Sequence, residues 1–225
     1  MKIKKNDFLI VNFLGRIKDG DIFDASFPEE AKEVGIKEPK PMKVIVGQGM
    51  AVKGLDESFL DKEEGEEYTV DVPPEKGFGK RNADLIKLMP AREFKKQKIN
   101  PYPGLQFAID GTPARVLTVS SGRVTVDLNF PLAGKDLEYK IKIEKVVKDK
   151  KEKIDFMLEL FNISSEKEYK DSSVIIKLEK DIPKELKDEL SKKIKEFTDY
   201  ETKFEVKKDG LDDKERSRED GNTSK

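Results

Sequence analysis

Residues 137–146 read "LEYKIKIEKV", with Leu137, Tyr139, Ile141 and Ile143 at strict period two and Glu138, Lys140 and Lys142 between them. Side chains alternate across a β-strand, so this spacing gathers the apolar groups on one face and the charges on the other. It predicts a strand with one dry face and one solvated face, the signature of an antiparallel sheet. One such strand needs partners, and the chain supplies them. "DFLIVNFLGRIK" (7–18) predicts a second strand, ended by the Lys18-Asp19-Gly20 turn. "PMKVIVG" (41–47) predicts a third, and the alternation of Tyr68, Val70 and Val72 a fourth. "VKGLDESFLD" (52–61) predicts a short amphipathic helix with Leu55, Phe59 and Leu60 on one side. The expected fold class is α+β: an antiparallel sheet wrapped on a short helix, built from residues 1–83 and 130–148.

The intervening stretch has its own rhythm. "DLIKLMPAREFKKQ" predicts a short strand, then a helix opened by Pro90. "GLQFAID", "PARVLTVSS" and "RVTVDLNF" predict three further strands, punctuated by Gly111-Thr112-Pro113 and Ser121-Gly122. Together they form a β-rich unit over 84–129, inserted between strands of the first domain. Beyond residue 149 the charge density rises further. There "KEKIDFMLELFN" and "PKELKDELSKKIKEF" predict helices, the second with Leu186, Leu190, Ile194 and Phe197 on one stripe. "SVIIKLEK" and "ETKFEVKK" predict strands. A small αβαβ domain over 149–207 follows. Its two-stranded sheet would be marginal alone, which suggests docking on a partner subunit, as in a homodimer, or on the first domain. Residues 208–225 hold one leucine among charges and are expected to be disordered.

Composition narrows the chemistry. The chain has 225 residues, 40% of them charged, against a usual share of about 25%. With 45 Lys+Arg against 46 Asp+Glu there is no net field to attract nucleic acid or an acidic membrane. No apolar run approaches the roughly 18 residues of a membrane span. The opening "MKIKKNDFLIVNFLG" reads as a strand rather than a leader, and a cytoplasmic location is expected. Without Cys or His there is no thiol nucleophile, Ser-His triad, thiolate zinc site, imidazole base or disulfide. No metal site and no cofactor are expected.

Short motifs are individually plain. "VIVGQGMAVKG" (44–54) invites a nucleotide-loop reading, but the third glycine of G-x-G-x-x-G would fall at Val52 and no G-K-[ST] is present. A tight turn delivering Ala51 and Val52 beside the short helix fits better. Asp24 follows a turn glycine and by composition reads as a turn or cap residue. "NFPLAG" (129–134) reads as a loop connection. In "KGFGK" (76–80) one aromatic ring stands between two glycines with no apolar neighbour.

In order and spacing these segments say more. The succession "VNFLGRIKDGDIFDAS", "PMKVIVGQGMAVKGLDESFL", "VPPEKGFG", "NFPLAG" and "LEYKIKIEKV" resembles the FKBP-type peptidyl-prolyl isomerases over about residues 1–147. The extra unit before "NFPLAG" resembles the insert-in-flap domain of the SlyD-like branch, and the C-terminal extension is similar to that of the long archaeal type. The resemblance implies an aromatic pocket between sheet and helix. Carried over by motif, its residues are Phe13, in place of a usual tyrosine; the pair Phe23 and Asp24; Met42; Ala51 and Val52; Leu55, where tryptophan is common; Phe78, in place of another tyrosine; Leu132; and Tyr139. It further implies a chaperone surface on the insert that catches unfolded, proline-containing chains. Leu88, Met89, Phe94, Leu105 and Phe107 are the candidate contacts, each of which could equally belong to the insert's own small core. Met89 is the best single choice, because a flexible thioether suits varied partners. Rotation about an X-Pro bond makes and breaks no covalent bond, so the missing Cys and His do not stand against it. The alternative is a non-enzymatic chaperone or assembly module that keeps the scaffold for peptide binding alone.

Overall fold

The computed structural model describes residues 1–109 and 111–207. The expected disordered segment 208–225 lies outside the described residues. The chain divides into two compact units, Met1–Val146 and one beginning at Val147.

In the first unit the elements are β1 (Phe8–Ile17), β2 (Ile22–Ala25), α1 (Pro28–Glu33), β3 (Met42–Ile45), α2 (Lys53–Ser58), β4 (Glu67–Val72), β5 (Ile86–Pro90), α3 (Ala91–Lys96), β6 (Gln106–Ile109), β7 (Thr112–Ser120), β8 (Arg123–Asp127) and β9 (Leu137–Val147). Five of them make one sheet, ordered β2-β1-β9-β4 with β3 also paired to β1. The β1–β2, β1–β3 and β4–β9 pairs are antiparallel. The period-two run in β9 lands as its spacing requires. Leu137, Tyr139, Ile141 and Ile143 are all buried, while Lys140 is exposed. Their core partners include Leu9 and Val11 of β1, Val44 of β3, Val72 of β4, and Leu55 and Phe59 at α2. Burying a side chain of this size stabilises by roughly 1.5–3 kcal/mol, so the sheet–helix contact is the main source of cohesion. At Gly15 on β1 even a methyl group would fall 2.8 Å from the Phe23 ring and 2.9 Å from that of Tyr139. Absence of a side chain there lets both rings lean on the strand.

A separate four-stranded sheet, ordered β5-β8-β7-β6, occupies the segment between β4 and β9. Its neighbours are all antiparallel. One face packs Ala114, Val116, Val124 and Val126 against Phe94 of α3. Pro90 is the N-cap of α3, consistent with a helix opened there. The two chain crossings that lead into and out of this sheet are tied together. Asn82 N–H donates to Asn129 Oδ1 at 2.8 Å, and Asn129 Nδ2 donates back to the Asn82 carbonyl at 2.9 Å. Asp127 completes the clasp: its Oδ1 accepts from Asn129 backbone and side chain, and its Oδ2 from Arg81 at 2.6 Å. Burial of the Asp127 carboxyl works against its charge, but these donors outweigh it and hold its pKa below the ordinary value.

The second unit runs α4 (Lys150–Leu160), β10 (Ser165–Lys170), β11 (Ser173–Leu178), α5 (Lys184–Thr198) and β12 (Glu201–Val206). This corrects the expected αβαβ order to αββαβ, with three strands ordered β10-β11-β12. The unforeseen strand, "SEKEYK", carries no hydrophobic alternation because it sits at the sheet edge, where charges face solvent and discourage foreign pairing. Val174, Ile176 and Leu178 of β11 are buried with Ile154, Phe156, Met157 and Leu158 of α4 and Leu190 and Ile194 of α5. Asp149 caps α4 by accepting from the N–H groups of Lys151 and Glu152. A third strand removes the physical reason for requiring a partner. Among the described residues no helix is long and apolar enough to cross a membrane.

Candidate active site

A cleft of about 540 Å³ opens beside α2. Its lining contains Phe13, Phe23, Asp24, Met42, Ala51, Val52, Leu55, Phe78, Leu132 and Tyr139, so all ten residues singled out for the pocket meet there. Each arrives for a local reason. Phe13 N–H donates to the buried Ser26 hydroxyl at 2.8 Å, and Ser26 N–H donates to the Phe13 carbonyl at 2.8 Å, joining the two strand segments behind the cleft. Gly47 N–H donates to Asp56 of α2 at 2.9 Å, which holds the turn that delivers Ala51 and Val52. Leu55, only 3% exposed, forms the floor. Gly79, at φ +80°, turns the chain after Phe78. Its N–H donates to the Pro74 carbonyl, and its own carbonyl accepts from Gly134 N–H at 2.8 Å. The Phe78 loop is therefore pinned to the loop that carries Leu132.

Three lining residues were not anticipated: Met50, Phe130 and Pro131. Phe130 is 54% exposed and lies 4.8 Å from Phe78, ring centre to ring centre, at 31°. Phe23 meets Phe78 and Tyr139 edge-on, at 6.5 and 5.8 Å. Such edge contacts add about 0.5–1.5 kcal/mol beyond burial and fix the rings' orientation. Exposed loop residues have no periodicity to betray them; the available signal was an aromatic beside proline in "NFPLAG".

The polar side-chain groups of this lining are the Asp24 carboxylate and the Tyr139 phenol. Burial, and then the nearby Asp24 charge, push the Tyr139 pKa up to about 12. The phenol stays protonated and uncharged at neutral pH, and no protein acceptor for it is present among the described residues. Tyr68, whose hydroxyl lies 3.1 Å from that of Ser58, is also raised to about 12, chiefly by burial. An unfolded tyrosine loses its proton near pH ~10, so the contribution of these neutral phenols to stability is complete below that pH and lost on rising to ~12. Denaturant titrations between pH 8 and 12 are expected to show this alkaline decline, and Tyr139→Phe to shrink it.

The five insert residues do not form one surface. Phe94 is 3% exposed and belongs to the insert's own core, which decides for the core alternative over the client-contact one: enclosed by apolar groups of the four strands, it offers at most a ring edge. Met89 and Phe107 line a shallow dimple of about 40 Å³ with Glu93, Gln97, Ile109 and an edge of Phe94. Leu88, 58% exposed, alternates with Met89 along β5 and points to the other face. Leu105 packs on the core without lining the dimple.

Comparison with known proteins bears on the same regions. The family described as "FKBP26, IF domain" matches residues 87–132. A "Short-type peptidyl-prolyl cis-trans isomerase" of Methanocaldococcus jannaschii is 38% identical over 148 residues, 64% of this chain and 94% of the relative. An "FKBP-type peptidyl-prolyl cis-trans isomerase SlyD" of Treponema pallidum is 29% identical over 150 residues, 65% of this chain and 79% of the relative. Among solved structures, the three FKBP domains of wheat FKBP73 match at 15% identity and TM-score 0.36, over 66% of this chain and 42% of that chain.

Proposed function

The chain belongs to the FKBP-type peptidyl-prolyl cis-trans isomerases, and from that premise we propose that the apolar cleft beside α2 is where an X-Pro bond of a polypeptide is turned. The observation that carries this reading is the lining itself: five aromatic rings, of Phe13, Phe23, Phe78, Phe130 and Tyr139, with one carboxylate and one phenol. Rotation is slow because amide resonance must be broken, at a barrier near ~20 kcal/mol. The planar amide is more dipolar than the twisted one, and water stabilises it more. A dry cleft withdraws that preference, and each ~1.4 kcal/mol gained by the twisted form over the planar one is tenfold in rate. The rings also bury the proline ring, at roughly 25 cal/mol per Å². Asp24, at the cleft edge, orients a backbone amide of the substrate and is not needed as a base.

A second activity, chaperoning of unfolded chains, is proposed for the insert, with the boundaries 1–83 and 130–148 for the catalytic domain, 84–129 for the insert-in-flap domain and 149–207 for the C-terminal domain. The dimple at Met89 and Phe107 supports it, because a flexible thioether beside an aromatic edge adapts to varied apolar side chains. The test is a pair of assays on the full chain: isomerisation of a short X-Pro peptide and proline-limited refolding of a protein. Acceleration of both is expected. Binding of the peptide without acceleration would instead favour the non-enzymatic module, a reading motivated by the absent hydroxyls at Phe13 and Phe78. Homodimerisation through the C-terminal unit rests only on the open edges of β10 and β12. Light scattering on the full chain and on a chain ending near residue 148 decides it, the same number of subunits in both excluding it.

A further inference from the structure

A second cavity, of about 260 Å³, lies between the insert sheet and the 129–135 loop. The insert sheet presents Gln106, Arg115 and Asp127 to it as a row, since these residues pair across β6, β7 and β8. Arg81, bonded to Asp127, and Lys135 also line it. Asp127 is fully engaged, one oxygen by Asn129 and the other by Arg81. Arg115 and Lys135 have no ion-pair partner among the described residues. The cavity therefore carries two cations without an ion-pair partner, in a wall that mixes polar groups (Gln106, Asn129 and the Arg81–Asp127 pair) with apolar ones such as Phe107 and Pro131.

Its position is as informative as its charge. Phe130 and Pro131 line both this cavity and the prolyl cleft. Phe107, on the edge strand β6, lines both this cavity and the Met89 dimple. The three depressions thus share walls in series, and a chain leaving the cleft past Phe130 meets the cations before it reaches the dimple. Because the cavity shares Phe130 and Pro131 with the cleft, an extended peptide, advancing about 3.3–3.6 Å per residue, enters it directly on leaving the cleft.

We propose that this cavity is a subsite for a carboxylate side chain of the substrate polypeptide, a few residues from the proline held in the cleft. The inference rests on the prolyl reading of the cleft and adds a substrate class to it: chains with Glu or Asp near the X-Pro bond. Two cations in one cavity act together on a carboxylate, and because both are exposed the attraction is of the salt-sensitive surface kind. Arginine adds planar, two-point recognition of the carboxylate.

The experiment uses fluorescently labelled X-Pro peptides carrying Glu or Gln at each of the second to fifth positions on either side of proline. Affinity for the full chain is read by anisotropy, and turnover is read on the same samples. At one or more positions Glu is expected to bind about five- to tenfold more tightly than Gln. That preference should vanish in the double variant Arg115→Gln, Lys135→Gln and fall steeply at about 0.5 M salt. A uniform response to Glu and Gln at every position overturns the proposal, as does a preference that survives in the double variant. Because affinity is read independently, a Glu preference without turnover would sustain the subsite while removing the isomerase reading of the cleft. Turnover of the Gln peptides without a Glu preference would do the reverse.

Discussion

Excising residues 85–128, with a short Gly-Ser link between residues 84 and 129, should slow catalysed refolding of a proline-limited protein about 100-fold while leaving X-Pro peptide turnover within about threefold. The prolyl cleft and the insert's dimple are separate patches on one unit. A protein chain that touches the insert first meets the cleft as an intramolecular partner, and linked sites of this kind gain about 10²–10⁴ in apparent affinity. A short peptide cannot span both patches and so loses nothing on excision. Rates of protein refolding that stay level after excision would remove the chaperone role. Should the excised chain misfold, Met89→Ser with Phe107→Ser addresses the same question, with an expected loss of at least tenfold on proteins alone.

Tyr139→Phe should raise the KM for an X-Pro peptide about tenfold with kcat nearly unchanged. Tyrosines usual at positions 13 and 78 in this family are phenylalanines here, so the cleft's phenol sits on β9 instead. Tyr139 is buried, uncharged and edge-packed on Phe23, so its hydroxyl is held in place before substrate arrives. Donation to a substrate carbonyl supports the planar and twisted amides alike, which makes it a uniform binding term. A hydrogen bond of this kind is worth about 0.5–1.5 kcal/mol, or up to roughly tenfold. Phe78→Tyr in the same background should recover part of the affinity, and alone should tighten binding with a smaller change in rate. A fall in kcat at constant KM would contradict this assignment, because it would place the phenol on the nitrogen of the twisted amide.

Legibility in the sequence followed physical regularity. β9 and β1 were readable because half-buried strands write period two into their residues. The pocket positions came instead from the ordered motifs of the family resemblance, since Ala51, Val52, Phe78 and Leu132 lie outside the strands. Met50, Phe130 and Pro131 escaped because loop residues that wall a cleft need neither alternation nor burial. β2, only four residues long, and α1, six residues long and opened by Pro28, are too short to impose a pattern. β10 was hidden by its edge position. Phe94 stood open in the sequence between client contact and insert core; burial settles it as core, because a small sheet needs at least one large side chain to close its own interior. Asn129 gave no sign of its clasp with Asn82, because side-chain-to-backbone bonds depend on residues distant in sequence.

That clasp has a thermodynamic meaning for the host domain. Joining two points of a flexible chain costs entropy that grows with the logarithm of the length between them. Here the points where the insert departs and returns already touch, and the segment between them folds on its own core. Seen from the host, the insert is a closed hairpin tip, and its length adds almost nothing to the cost of ordering β4 beside β9. The junction at Asn82 and Asn129 is accordingly a graft point, at which inserts of other sizes and sequences can be exchanged without renegotiating the host fold.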